Sequence, residues 1–418
     1  MKKPALILGF STLVWVMPLH ATTLEEAIAA AKEHAPEVEV AEAESDIAKA
    51  RLQQAKSGGR PSATLSGTIG AGRLDPKGYF GLTADNVTPT AAQLVIEQPL
   101  FTGGKVSAGV EQARAGMAAA EAGVVATEAN LVANVAGAYG SVIAAETMVR
   151  HYAQLVDETE EIERQARLRF SVGESPRTDV AQAQARTAEA KAGLARSEGQ
   201  LVTARARFRS LTGLEGADLQ PLPASPLLPA TLDDAVAQAE ADNPQLAQAE
   251  AGVKAAQAGL KGEKADQLPM VSAFAEGAMV RDQFFPGYKA DSATVGVRAR
   301  WQIFSGGRVS GKIAESDARL RVAEAQLRAA RDAIREHVIA AFSGVRTAAL
   351  VETAAQEQES AAREALRSVR EEVRVGMKPQ LALLDAEREA IAASAALESA
   401  RTDRIVSAYR LLALVGAQ

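Results

Sequence analysis

Polar and apolar residues alternate strictly along residues 292–303. One set of alternate positions is apolar and the other is polar or small: Ala293, Val295, Val297, Ala299, Trp301 and Ile303 against Ser292, Thr294, Gly296, Arg298, Arg300 and Gln302. Since successive side chains of a strand point to opposite faces, this pattern predicts a β-strand with one apolar face and one polar face. Residues 62–73 repeat the pattern.

Residues 90–101 and 270–281 alternate less regularly. Apolar residues there fall in phase with polar ones: Val95 with Gln93 and Glu97, and Phe274 with Ser272 and Glu276. We predict strands in both segments, with their phase left open. Glu97, Glu276, Arg298 and Arg300 are candidates for a water-facing wall.

Helical patterns surround the four strands. Residues 105–171 and 308–375 contain no proline, and at about 1.5 Å rise per residue each helix would reach roughly 100 Å. A helix of that length has no core of its own and must pack laterally as a coiled coil. Alanine is abundant throughout and aromatic residues are 4% of the chain, which suits closely packed long helices.

The whole plan occurs twice. Thr23-Leu24-Glu25-Glu26-Ala27 recurs 208 positions later as Thr231-Leu232-Asp233-Asp234-Ala235, and Phe101-Thr102-Gly103-Gly104 recurs at an offset of 203 as Phe304-Ser305-Gly306-Gly307. Each half opens with a capping pattern, and Pro36 or Pro244 then ends a short helix and begins another. We therefore divide the chain into a first repeat, 22–218, a proline-rich linker, 219–230, and a second repeat, 231–418.

The first 21 residues predict a secretory signal peptide. Lys2 and Lys3 precede an apolar stretch from Ala5 to Val16, which is shorter than a bilayer span, and a small residue follows at Ala21. Without cysteine, disulfides and a thioether-linked lipid are excluded. Lys and Arg number 46 and Asp and Glu 52, and no basic patch points to nucleic acid.

Bilayer crossing and an ordinary soluble sheet both fit alternation of period two. The strands have about the length of a tilted membrane strand, and nine aromatic residues lie in or beside them, as in an interface girdle: Tyr79, Phe80, Phe101, Phe274, Phe284, Phe285, Tyr288, Trp301 and Phe304. Four strands cannot close a barrel, and open edges in lipid leave backbone groups unpaired. Oligomers of two, three or four copies satisfy this requirement.

The ordered, duplicated motifs resemble the TolC family of outer-membrane export channels over essentially the whole mature chain. They are Leu-x-x-Ala-x(8)-Pro from Leu24 and from Leu232, Phe-x-Gly-Gly after the second strand of each half, and Val-Gly-x(5)-Asp-Val from Val172 to Val180. The resemblance implies an α+β membrane protein: a homotrimer with four transmembrane strands per protomer, a 12-stranded β-barrel in outer-membrane lipid, and a periplasmic coiled-coil barrel of helices. It also implies export with a periplasmic adaptor and an inner-membrane pump, ABC or proton-driven.

The resemblance also implies roles for the two helix turns farthest from the strands. Their tips would dock the adaptor: Val172, Gly173, Pro176, Val375, Gly376 and Pro379. Asp385 would form a charged ring at the entrance, although Ala382 stands where the family often has a second acid. An Asp179–Lys378 pair assisted by Thr178 would keep the entrance shut, although Val373 stands where relatives commonly have an aromatic residue.

Enzyme chemistry has little support. His34, His151 and His337 lie far apart without metal-ligand spacing, and Gly103-Gly104-Lys105 lacks the flanking residues of a phosphate loop. We expect neither catalytic activity nor a cofactor. The alternative from another class is a periplasmic adaptor or scaffold, which also uses long alanine-rich hairpins. The sequence does not decide whether the exported cargo is a drug, a metal ion or a protein secreted by the type I route.

Overall fold

The computed structural model describes residues 21–75 and 85–416. Residues 1–20 of the predicted signal peptide, and the predicted girdle residues Tyr79 and Phe80, lie outside the described part. The elements in chain order are α1 Leu24–His34, α2 Pro36–Ser57, β1 Ser62–Ile69, β2 Gly72–Leu74, β3 Asp85–Val87, β4 Thr90–Phe101, α3 Lys105–Ser171, α4 Arg177–Thr212, α5 Leu232–Asp242, α6 Pro244–Ala265, β5 Met270–Arg281, β6 Lys289–Arg300, α7 Arg308–Arg374 and α8 Gln380–Val415.

The helices come in two matching series. The first four contain 11, 22, 67 and 36 residues, and the second four contain the same numbers in the same order. The predicted capping contacts begin both series: Glu26 N donates to Thr23 Oγ1 at 3.1 Å, and Asp234 N donates to Thr231 Oγ1 at 3.1 Å. Pro36 and Pro244 occupy the first position of α2 and α6, where a missing N–H costs no helical hydrogen bond.

The main sheet has four antiparallel strands in the order β1-β4-β5-β6. A short separate pair, β2-β3, continues beyond β1, so the predicted strand 62–73 is two strands. The predicted strand 292–303 is wrong at both ends, since β6 is Lys289–Arg300. Arg300 pairs with Met270, so Trp301 would face Pro269, which has no N–H to donate.

The chain forms two compact units. One contains residues 21–34, 134–226 and 348–406. Its buried contacts include a cluster of Leu155, Ala190 and Leu384. Tyr139 is fully buried, its ring centre 6.1 Å from that of Phe208.

The other unit contains the sheet, and comprises residues 35–133 outside the undescribed gap, 227–347 and 407–416. Seven buried apolar residues from α5, α6, α7 and α8 form its helical core: Ala235, Ala239, Leu246, Ile334, Val338, Leu411 and Val415. Both units thus combine buried alanines with larger aliphatic side chains in their cores.

Candidate functional site

The register of the four-stranded sheet sorts its side chains into two faces. Glu97 pairs with both Ser62 and Phe274, and Phe274 pairs with Gly296. Because directly paired residues share a face, one face carries most of the polar residues: Ser62, Thr64, Ser66, Thr68, Gln93, Glu97, Ser272, Glu276, Ser292, Thr294, Arg298 and Arg300. We call this the polar face.

The opposite face is apolar along most of its length. It carries Ala63, Leu65, Ile69, Ala92, Leu94, Ile96, Val271, Ala273, Ala275, Met279, Ala293, Val295, Val297 and Ala299. Several of these are among the most exposed apolar residues of the chain, with Leu65 and Ile69 each 76% exposed and Val295 84% exposed. No described element packs over these side chains, so the apolar face is exposed.

The two irregular strands obey this division. Val95 and Phe274 lie on the polar face among hydrophilic neighbours, while Leu94, Ile96 and Met279 point to the apolar face. A register shift between Pro99 and Phe101 then places Phe101 opposite Val271, on the apolar face. The phase of these two strands, which the sequence leaves open, is therefore fixed by strand pairing and by one bulge, neither of which can be read from a single strand's sequence.

The four predicted wall residues all lie on the polar face. Ser272 Oγ donates to Glu97 Oε1 at 2.6 Å, and Gln93 Nε2 donates to Glu276 Oε1 at 2.6 Å. The guanidinium carbon of Arg298 lies 4.5 Å from the centre of the Phe274 ring, a cation–π distance. Arg300 is exposed at the end of β6 that leads towards α7. The polar face thus combines acids, bases and hydroxyl groups.

The two predicted helix-hairpin turns have the same backbone structure. Gly173 and Gly376 both have φ of +79°, a left-handed conformation that suits glycine at a helix C-terminus. Glu174 N bonds Arg169 O and Met377 N bonds Glu372 O, each at 2.8 Å. The neighbouring Val172 and Val375 are 64% and 61% exposed, so each tip presents an apolar side chain.

Prolines close both turns. Pro176 is the residue before α4, and its carbonyl accepts from Asp179 N at 3.2 Å. The carbonyl of Pro379 likewise accepts from Ala382 N at 3.0 Å. In both turns, a proline thus marks the start of the second helix, and its carbonyl accepts a hydrogen bond from that helix.

The predicted gate residues lie close to these tips but are not joined to one another within the chain. Lys378 Nζ lies 2.7 Å from Glu372 Oε2, on its own hairpin, whereas Thr178 and Asp179 are exposed. Asp385 is 63% exposed, and its Oδ1 lies 3.9 Å from Arg186 Nη2 of α4. Asp385 therefore has a weak partner within the chain, and the Asp179–Lys378 contact remains a prediction for the assembled protein.

Sequence reasoning missed a charged cluster nearby. Arg370 of α7 contacts both Glu158 of α3 and Glu387 of α8. The sequence did contain a sign of this cluster. Glu387 lies between Leu384 and Ile391 at helical spacing, on a face where an apolar residue is expected. Among residues 21–75 and 85–416, no group of three or more His, Asp or Glu side chains is arranged to hold a metal ion.

A family profile and a curated relative both identify this chain as similar to outer membrane efflux proteins. The profile of the family described as "Outer membrane efflux protein" matches residues 27–214 and 235–417. The chain is 30% identical over 364 residues to the outer membrane efflux protein BepC of Brucella suis biovar 1 (strain 1330), covering 87% of this chain and 78% of BepC.

Solved structures share the fold. The CmeC outer membrane channel of Campylobacter jejuni matches with a TM-score of 0.81 at 14% identity, covering 94% of this chain and 85% of CmeC. The open state of the MtrE outer membrane channel of Neisseria gonorrhoeae matches with a TM-score of 0.74 at 22% identity, covering 94% and 89%. At these identities the structural likeness concerns the fold alone.

Proposed function

This chain belongs to the outer membrane efflux protein family, and we propose that three copies of it form a non-enzymatic channel that exports solutes or polypeptides across the outer membrane. The observation that carries the proposal is the uncovered apolar face of the four-stranded sheet. On a water-soluble protein such a face is normally covered by a second layer. Here hydrocarbon from lipid would cover it.

The edges of the sheet require further copies. β1 and β6 are the edge strands of the described sheet and each pairs on one side only. In lipid every unpaired backbone N–H and C=O costs several kcal/mol, so β1 of one copy would pair with β6 of the next. Three copies give the twelve strands that the resemblance implies.

Closure of that sheet sends the polar face inward. Glu97, Glu276, Arg298 and Arg300 would then line a water-filled lumen, six acids and six arginines in all. With both signs present in equal number, the barrel wall would favour neither cations nor anions strongly. Selection by charge would then depend on the entrance.

We place the entrance at the helix-hairpin tips. Three copies of Asp385 would concentrate negative charge around the axis, as acidic rings do in cation-preferring pores. Thr178, Asp179 and Lys378 would bias the entrance towards its closed state. The exposed Val172 and Val375, with the turns at Gly173, Pro176, Gly376 and Pro379, would contact the periplasmic adaptor, which links the channel to an inner-membrane pump.

α3 and α7 each contain an 18-residue stretch whose mean hydropathy, 1.2 and 1.3, is high enough for a membrane helix. Alanine supplies much of that hydropathy, and alanine-rich stretches equally suit lateral packing between helices. We therefore assign both helices to the periplasmic tunnel and the bilayer crossing to the strands.

Extraction and assembly test the proposal against the alternative of a periplasmic scaffold. Membranes from cells expressing the full chain are washed with urea, and the retained protein is purified in detergent and sized by light scattering. A trimer that resists urea and conducts ions in planar bilayers is expected. A monomer extracted by urea and soluble without detergent would overturn the proposal and favour the scaffold.

The cargo needs a separate experiment. Accumulation of a fluorescent dye and secretion of a reporter polypeptide are compared in cells that lack their own channel, with and without this chain. The chain must be expressed with a candidate adaptor and pump. Lower dye accumulation indicates small-molecule efflux, and reporter in the medium indicates type I secretion.

A further inference from the structure

Arg370 links three helices near the hairpin tips through a single nitrogen. Its Nη2 lies 3.0 Å from Glu158 Oε1 on α3 and 2.9 Å from Glu387 Oε1 on α8, while Arg370 itself belongs to α7. The α7–α8 hairpin is therefore tied to α3 at this point. Gln154 also donates to Glu158 Oε1, at 3.0 Å.

The cluster holds two carboxyl groups for one guanidinium. The Glu387 side chain is 6% exposed and that of Glu158 is 26% exposed. All the donors reach Oε1 of Glu158, and its Oε2 is buried with no hydrogen-bond partner among the described residues. Both carboxylates contact the same guanidinium nitrogen, so they lie close enough to repel each other, and one of them is expected to hold a proton.

The surroundings favour protonation of Glu387. Burial is the largest cause and the neighbouring Glu158 carboxyl group is the next, and together they raise the pKa of Glu387 to about 8 in spite of the opposing Arg370. A protonated Glu387 carboxyl can donate a hydrogen bond to Glu158. The protonated cluster then contains one carboxylate and one guanidinium, and its net charge is zero.

Other charged groups around the cluster already have partners or stand apart. On α7, Arg363 pairs with Glu359 and Arg367 with Glu364. On α3, His151 Nε2 lies 3.0 Å from Ser394 Oγ, and burial lowers the pKa of His151. On α8, Arg388 contacts Glu189 of α4 and Asp385 faces Arg186 of α4. Neither His151 nor these pairs supplies a second cation to Glu387.

We propose that Glu387, Glu158 and Arg370 form a proton-binding site that latches the α7–α8 hairpin to α3 and holds the entrance closed. The ligand is a proton shared between the two carboxyl groups. When that proton leaves, the cluster carries a buried net charge of −1 and the two acids repel. The hairpins then separate, and the entrance opens more readily.

The direction with pH follows from the raised pKa of Glu387. Folding favours the neutral acid, so the stability that neutral Glu387 contributes is fully present below the ordinary glutamate pKa of about 4.3 and is lost as the pH rises through about 8. The protonated fraction of Glu387 would therefore fall between neutral and alkaline pH. Alkaline surroundings would therefore loosen the entrance.

Spin labels test the latch directly. Because the chain contains no cysteine, Glu174→Cys and Met377→Cys place single labels on the two exposed tips. The distance distribution within one chain, in protein diluted with unlabelled copies, is measured from pH 6 to pH 9.5. A longer-distance population should grow several-fold with a midpoint near pH 8 and should be absent in Glu387→Gln, which keeps a donor and cannot ionise.

Glu389→Gln is the matched control, because Glu389 is an exposed acid of the same helix. This control should retain the full pH response. If Glu387→Gln retains it as well, or if the unsubstituted tips do not move between pH 6 and pH 9.5, the latch is wrong.

Only the gating consequence rests on the proposed function. In planar bilayers the open fraction should rise several-fold with the same midpoint, and Glu387→Gln should remove that rise. A protein whose tips respond to pH but which forms no channel would overturn the proposed function and leave the proton-binding site standing. A conducting channel whose tips and open fraction do not respond would overturn the latch alone.

Discussion

Gly140 of α3 lies directly against Thr402 of α8. A Cβ atom added to Gly140 would approach Oγ1 and Cγ2 of Thr402 to 2.5 Å, far inside the van der Waals distance. Thr402 has little room to turn away, since its Oγ1 donates to Glu398 O at 2.9 Å. The two helices can approach this closely only because one of them has no side chain at the contact.

Gly140→Ala is therefore expected to destabilise the protein by about 1–3 kcal/mol, the usual cost of overpacking. The midpoint of heat-induced unfolding in detergent measures the effect. Gly116→Ala, in the same helix with no atom within 4 Å of the added Cβ, should instead stabilise by about 0.5–1 kcal/mol. The double variant Gly140→Ala with Thr402→Ala should recover most of the loss, and a failure to recover would show that the helix contact is not the cause.

Tyr139 secures the chain near the start of α1 to the linker between the repeats. Its hydroxyl lies 2.8 Å from Thr22 O and 2.7 Å from Gln220 O, where residue 22 and Leu219 form a parallel bridge. Burial raises the pKa of Tyr139 to about 12, so the donor proton is present throughout the physiological range.

Tyr139→Phe should lower the free energy of unfolding by about 0.5–1.5 kcal/mol, because the hydroxyl hydrogen bond to Thr22 O and Gln220 O is lost while Thr22 O keeps the hydrogen bond from Gln220 N. Thermal or urea unfolding in detergent checks this value. Tyr152→Phe is the control: the Tyr152 hydroxyl makes no hydrogen bond to any of the described residues, and a change below about 0.5 kcal/mol is expected. Equal effects of the two variants would assign the loss to general packing.

The helices were largely predictable because their signals are local. Proline positions, capping residues and the glycine turns mark where each helix begins and ends, and the observed α3 begins and ends at the predicted residues. Two of the four main strands, β4 and β5, also have their predicted bounds. The duplicated order of motifs identified the family that comparison confirms.

The ends of the strands and the faces of the sheet were harder to predict, because they depend on the neighbouring strands. β6 ends at Arg300 because its neighbour β5 begins after Pro269, and the Trp301 indole N–H instead donates to Gln267 O at 3.0 Å. At the other end, Lys289 and Asp291 carry charge on the mostly apolar face, where Asp291 pairs with Arg281 at 2.7 Å, so alternation concealed that part of the strand. The Glu387 cluster escaped notice because its three members come from three helices distant in sequence.

Val295 and Thr294 provide a test of which face meets lipid. They are neighbours in β6, with Val295 on the apolar face and Thr294 on the polar face. Val295→Lys should reduce the amount of folded trimer in the outer membrane severely, because a lysine at mid-bilayer costs about 2–4 kcal/mol per copy. Thr294→Lys should be tolerated, since its side chain would face water. Similar trimer yields from the two variants would contradict the assignment of faces.

Lys378 has two possible partners, and the proposed gate can be tested by changing one of them at a time. Within the chain its ammonium group is 2.7 Å from Glu372, and a contact with Asp179 in the assembled channel must compete with that ion pair. Exposed pairs contribute only about 0–1 kcal/mol each, so three copies acting together would bias the closed state by up to roughly 3 kcal/mol. Because Glu372 and Asp179 compete for Lys378, substituting each of them should change the open fraction in opposite directions.

Removing the competitor should strengthen the gate, and removing the gate pair should open it. Glu372→Gln is expected to lower the open fraction in planar bilayers because it releases Lys378 towards Asp179. Glu371→Gln, whose carboxylate contacts Arg374 at 2.7 Å, should leave the open fraction unchanged. Combined Asp179→Ala and Lys378→Ala should raise single-channel conductance, and in that background Glu372→Gln should have no further effect. If the combined variant conducts as the unsubstituted channel does, Lys378 serves only its own hairpin and the closing contact lies elsewhere.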